Sequence, residues 1–89
     1  MVAKSVFTGD YKGFRLLLIE ARNSAGLTQI DLARKLGRPQ SFVSKYERGE
    51  RRLDVIEFLE VAYALGIDPP QFIRKLQQAA LAKRRTRPS

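Results

Sequence analysis

The residues of this chain best suited to chemistry share one face of a short segment: Gln40, Ser41, Ser44, Lys45 and Arg48. They are amides, hydroxyls and cations, types that suit nucleic-acid base edges and differ from the Glu/Lys mixture of a solvated surface. Val43 and Tyr46 share the opposite face at i,i+3 spacing, so the segment reads as an amphipathic helix with its polar side turned outward. No other chemistry competes. The 89 residues include neither Cys nor His, which removes disulfides, thiolate metal sites, the commonest metal ligand and the usual general base. Metal-dependent or triad catalysis is therefore not expected, and the reading carries no enzyme activity, no cofactor and no metal.

The segment needs a partner element to hold it, and the twenty residues from Gln29 to Arg48 (QIDLARKLGRPQSFVSKYER) supply one. A near-perpendicular helix pair joined by a tight turn needs a small residue where the backbones approach most closely, and Ala33 provides it. Leu32 and Leu36 lie one turn apart on the first helix and face the Val43/Tyr46 side of the second. Gly37 ends the first helix, because a glycine can take the positive φ of a Schellman-like stop without a side-chain penalty. Pro39 then opens the second, where its fixed φ helps and its missing amide proton costs little. The pattern is that of a DNA-reading helix-turn-helix; the alternative is a plain amphipathic hairpin in a small bundle.

The rest of the chain builds the scaffold. Residues 1–10 lack periodicity and read as a loose leader. Helix 1 is expected from Asp10 or Tyr11 to Ser24, with Phe14, Leu17, Leu18 and Ala21 inward and Lys12, Arg15 and Arg22 outside or at the rim. Thr28 caps helix 2, with Asp31 at the favourable amino-terminal dipole and Leu27/Leu32 in staple register. Helix 3 covers Gln40 to Glu47. Asp54 and Glu57 form a capping-box-like pair opening helix 4, expected over 55–65, with Val55, Phe58, Leu59, Ala62 and Leu65 inward. Asp68, Pro69 and Pro70 open helix 5, expected to end at Ala80 or Ala82. The fold class is all-α, a single five-helix domain over 11–80, which is as much as this length supports.

Charge points the same way. Seventeen Lys and Arg against nine acids give +8, and a cationic domain attracts polyanions. Half of that charge sits in residues 81–89, where Lys83, Arg84, Arg85 and Arg87 meet no acid. This basic tail is read either as a flexible arm for phosphates or as a solvated charge run. No apolar run has the length of a signal peptide or a membrane span, so a cytoplasmic protein without a membrane partner is expected. Phe14, Phe42, Tyr46, Phe58 and Tyr63 fall mostly at core spacing, which argues against a stacking platform for single strands.

With these residues in place, the chain resembles the phage-repressor (Cro/CI, xenobiotic response element) type of helix-turn-helix domain. The similarity runs from about Phe14 to Leu76 and includes VSKYERGERR (Val43 to Arg52) and the ALGID that closes helix 4. It implies a compact lambda-repressor-like DNA-binding fold in which Gln40, Ser41, Ser44 and Lys45 read bases in the major groove. Glutamine suits adenine N6/N7, lysine suits guanine O6/N7, and serine suits either a base or a phosphate. The resemblance also implies phosphate contacts from Gln29, with Arg48, Arg51 and Arg52 beyond helix 3; Arg38 in the turn is a further candidate without a firm family role. It implies an ion pair between Arg22 and Glu47 bracing the reading helix, expected to be partly exposed and weak. Two departures are Pro39, where the family often has a capping Ser or Thr, and Glu50, a negative charge beside the phosphate clamp.

The function implied is sequence-specific binding of double-stranded DNA by a transcriptional regulator, most simply a repressor acting as a homodimer on a pseudo-palindromic operator. Ile73, Leu76 and Ala80 on helix 5 are the candidate dimer seam, the other reading being that this stripe packs over helices 1 and 4. The alternative function is an antitoxin that binds a toxin protein and autoregulates its operon; a restriction-modification controller would differ mainly in its target promoter.

Overall fold

Five helices follow from the caps and stops written in the sequence: α1 (Asp10–Ser24), α2 (Gln29–Leu36), α3 (Gln40–Glu47), α4 (Val55–Leu65) and α5 (Pro69–Thr86). The computed structural model describes residues 10–86, and side chains as far as Ala82; the leader over 1–9 and Arg87 lie outside the described residues. Thr28 and Asp31 form a reciprocal capping box, with the Asp31 amide donating to Thr28 Oγ1 at 3.0 Å and the Thr28 amide to Asp31 Oδ2 at 2.9 Å. Asp54 and Glu57 repeat the device on α4 at 2.7 and 3.0 Å. Gly37 stands at φ +67°, with the Arg38 amide donating to the Ala33 carbonyl, so α2 ends in the left-handed stop that the turn demands.

The core is a single cluster. Leu18, Leu32, Val43, Tyr46, Val61 and Ala62 lose all contact with solvent, and Ala33 is buried between α2 and α3. Phe14, Phe58 and Phe72 join α1, α4 and α5 through rings 5.4–5.8 Å apart, with Phe14 and Phe72 edge to face. Helix α2 packs on α3 and α4, while α1 packs on α3 and α5.

The structure departs from the sequence reading at several points. Val55 and Leu59 face outward, 72% and 42% exposed, and Val61 takes the inward place. Tyr63, placed at core spacing, is 90% exposed. Both slips have one cause: α4 is apolar on nearly every side, so periodicity could not choose its inner face. Helix α5 runs to Thr86, so the backbone of Lys83, Arg84 and Arg85 is helical rather than part of a loose arm. Lys and Arg are good helix formers, and no Gly or Pro interrupts them before Pro88. Ala80 is buried within the chain and is not available to a partner, whereas Ile73 is exposed and Leu76 half-buried. Among the described residues, no helix is long and apolar enough to cross a membrane.

Candidate nucleic-acid interface

The outward side of α3 carries Gln40, Ser41 and Lys45 exposed and Ser44 half-exposed, while Phe42, Val43, Tyr46 and Glu47 are buried beneath them. The two faces follow from the alternation of polar and apolar residues along QSFVSKYE. Pro39 is the N-cap and supplies no side-chain hydrogen bond, so the capping hydroxyl usual at this place is missing here. Ser44 Oγ lies 3.4 Å from the Ser41 carbonyl, a local contact that ties it to its own helix.

A chain of hydrogen bonds runs from the scaffold to this face. Arg22 on α1 grips Glu47 at the end of α3, with Nε donating to Oε2 at 2.7 Å and Nη2 to Oε1 at 3.0 Å. Gln29 Nε2 donates to Glu47 Oε1 at 2.8 Å, and Gln40 Nε2 donates to Gln29 Oε1 at 3.2 Å. The pair at the root is enclosed, with side-chain exposures of 13% for Arg22 and 4% for Glu47. The expectation of a partly exposed pair holds for Arg22, whereas Glu47 is buried. Its hydrogen bond to Glu47 raises the Arg22 pKa above the ordinary arginine value, against an opposing effect of burial. Arg22 Nη1 also donates to the Leu27 carbonyl at 2.9 Å, fixing the turn before α2.

The polarity of this chain is dictated at its buried end. A carboxylate only accepts, so the Gln29 NH2 faces Glu47 and its carbonyl faces Gln40. The Gln40 NH2 must then face Gln29, which leaves its carbonyl oxygen and second N–H for an outside partner. That is a donor and an acceptor side by side.

Arg15, placed outside or at the rim from the sequence, does more than solvate the surface. Its Nη1 donates to the Glu47 carbonyl at 2.8 Å and completes the carboxyl end of α3. It can pass there because residue 49 is glycine: a Cβ on Gly49 would lie 3.1 Å from Arg15 Nε, and Gly49 stands at φ +80°. Periodicity contained no signal for this contact between residues far apart in the chain.

The candidate phosphate residues divide. Arg38 pairs with Glu60 at 3.1 Å and Arg51 pairs with Glu57 through two bonds of 3.1 and 3.0 Å. Both guanidinium groups lie over the Phe42 ring, 4.4 and 4.8 Å from its centre. They knit α3 to α4, and the carboxylate of Glu57 holds Arg51 above its ordinary pKa while Arg51 holds Glu57 below its own. Arg48 is clasped by Glu50 at 2.9 and 3.1 Å, so the acid that departs from the family pattern neutralises its neighbour. Arg52 stacks over Tyr11 at 4.2 Å, and Gln29 lies at the first turn of α2, where backbone amides point out of the helix end.

Comparison with known proteins agrees with this fold. Residues 18–72 match the family model described as helix-turn-helix. The uncharacterized HTH-type transcriptional regulator y4dJ of Sinorhizobium fredii (strain NBRC 101917 / NGR234) is 32% identical over 63 residues, spanning 71% of this chain and 82% of that protein. The solved structure of an XRE-family like protein from Pseudomonas syringae pv. tomato str. DC3000 is 49% identical and superposes with a TM-score of 0.80, over 84% of this chain and 92% of the other. A point mutant of the restriction-modification controller protein C.Esp1396I shares the fold, with a TM-score of 0.73 at 22% identity over 90% of this chain and 96% of its own. A matched core, an α3 held to the scaffold by buried polar bonds, and these likenesses together place the chain in the XRE (Cro/CI) type of the helix-turn-helix family of DNA-binding transcriptional regulators.

Proposed function

We propose that this protein binds double-stranded DNA sequence-specifically, as a homodimer on a pseudo-palindromic operator, and represses by occupying a promoter. The observation that carries the reading is the hydrogen-bond chain Arg22–Glu47–Gln29–Gln40. It presents Gln40 with one acceptor and one donor outward, the complement of adenine N6–H and N7 in the major groove. Lys45 is the second base reader, suited to guanine O6/N7, with Ser41 and Ser44 flanking them. Gln29 and Arg52 are the phosphate contacts, joined by Arg48 when DNA competes with Glu50 for it. Arg38 and Arg51 serve the interface through Phe42 and α4, with phosphate contact secondary to their bonds to Glu60 and Glu57.

A single domain of this size buries about 600–1,000 Å² on DNA, which favours two copies reading half-sites about one helical turn apart. The test compares operator with random duplex. Gln40→Ala and Lys45→Ala are expected to lower the preference for operator by about 1–3 kcal/mol each, leaving random-duplex affinity nearly unchanged. Arg52→Ala is expected to weaken both DNAs alike and to reduce the salt slope by about 1. Equal losses on both DNAs from all three variants would overturn the division into base readers and phosphate contacts.

A further inference from the structure

Helix α4 is apolar on two opposite sides. Phe58, Val61, Ala62 and Leu65 enter the core, yet Val55, Ile56, Leu59 and Tyr63 stand outside it, exposed by 72, 65, 42 and 90%. A surface helix of a lone domain carries one apolar stripe, whereas a helix apolar all round is enclosed on all sides. Ile56, Leu59 and Tyr63 fall on one line by their spacing, and Leu36 of α2 forms a second wall, making an open groove of about 590 Å³. Exposed apolar surface gathered in this way on a small protein marks an interaction site.

Charge narrows the occupant. The segment 54–65 holds Asp54, Glu57 and Glu60 and no base, and the arginines beside it, Arg38 and Arg51, are bonded to Glu60 and Glu57, so this side offers DNA no concentration of unpaired positive charge. The groove carries one charge of each sign on its two walls, Lys35 from α2 and Glu60 from α4. A face with opposite charges on opposite walls is complementary to itself across a twofold axis, since Glu60, half-exposed although Arg38 of its own chain bonds it at 3.1 Å, can also take the other copy's Lys35. Elsewhere the net charge of +8 repels a second copy; here the local balance does not. The exposed fractions amount to on the order of 400 Å² of apolar side chain per copy. Two copies with their charged rims thus approach the low end of specific interfaces, about 1,200 Å² in total.

We propose that the outer face of α4, with Lys35 and Leu36 of α2, is the surface on which two copies of this chain associate around a twofold axis. This places the seam on α4 rather than on the α5 residues Ile73 and Leu76. It deepens the homodimeric reading above and is tested without DNA, so that the two fail separately. Sedimentation of the full chain at about physiological salt is expected to show a reversible dimer with a Kd in the micromolar range, about −8 kcal/mol. Tyr63→Glu and Leu59→Glu should each weaken association at least about tenfold while leaving the circular dichroism spectrum and melting profile in place, because both side chains are outside the core. Ile73→Glu should leave association unchanged. A chain that stays monomeric to hundreds of micromolar, or a dimer broken by Ile73→Glu and indifferent to the α4 variants, would overturn the assignment. A dimer broken only from α4 that nonetheless shows no preference among DNA sequences would leave the seam standing and remove the operator-reading function instead.

Discussion

Replacing Glu47 with Ala strikes the point where the scaffold meets the outward face of α3. The carboxylate is 4% exposed and accepts two bonds from Arg22 and one from Gln29, at 2.7, 3.0 and 2.8 Å. Its loss strands the Arg22 guanidinium, itself only 13% exposed, with the Leu27 carbonyl as its principal remaining acceptor. Breaking an enclosed pair from one side costs about 3–5 kcal/mol, and the surviving Leu27 bond favours the lower figure, about 3 kcal/mol. In a domain of this length each kcal/mol lowers Tm by about 4–8 °C, so the variant should melt about 12–24 °C below the parent. Urea unfolding followed by circular dichroism gives the free energy directly. The double variant Arg22→Met with Glu47→Leu removes both charges and should regain most of the loss, which separates the penalty of a stranded charge from the worth of the pair. A cost for Glu47→Ala below about 1 kcal/mol, the range of surface ion pairs, would refute the reasoning.

Three further outcomes follow from particular contacts. Gly49→Ala should cost about 1–2 kcal/mol, since φ is +80° and the new Cβ would press on Arg15 at 3.1 Å, whereas Gly13→Ala inside α1, with nothing within 4 Å, should stabilise by about 0.5–1 kcal/mol; paired urea titrations check the opposite signs. Tyr46→Phe should be neutral or stabilising by up to about 1 kcal/mol in thermal melts, because its hydroxyl is buried without a hydrogen-bond partner among the described residues, and burial pushes its pKa up. Stability should hold level from neutral pH down to about 5 and fall below that: Glu57 is held under its ordinary 4.5 by Arg51, and Asp31 under 3.8 by the Thr28 amide, so each contributes above its unfolded value and loses its contribution as pH falls through its lower folded value. A melting temperature that rises on acidification in that range would contradict these assignments.

The sequence made α3 and its supporting turn legible because the cues there are local. Gly37, Pro39, the two capping pairs and the spacing of Leu32, Val43 and Tyr46 each act within one or two helical turns. The interior of α4 was legible only in part: Phe58, Ala62 and Leu65 turn inward as read, but VIEFLEVAYAL offers apolar residues on every side, and only the position of α2 and the core decides that Val61 turns inward and Leu59 outward. The arginines were harder still. Arg38, Arg48 and Arg51 read as phosphate contacts, yet each has a carboxylate partner, brought near by the packing of α4 on α2 or, for Arg48 and Glu50, by the loop that follows α3. Arg15 reaches Glu47 across 32 positions of sequence, a contact that no periodic pattern encodes.

The most direct test of operator reading is selection of bound sequences from a random duplex pool at about physiological salt. The proposed function predicts an enriched inverted repeat with half-sites about 10 base pairs apart, containing an adenine whose enrichment disappears in Gln40→Ala. A bound pool indistinguishable from the input, with all duplexes held equally, would contradict it.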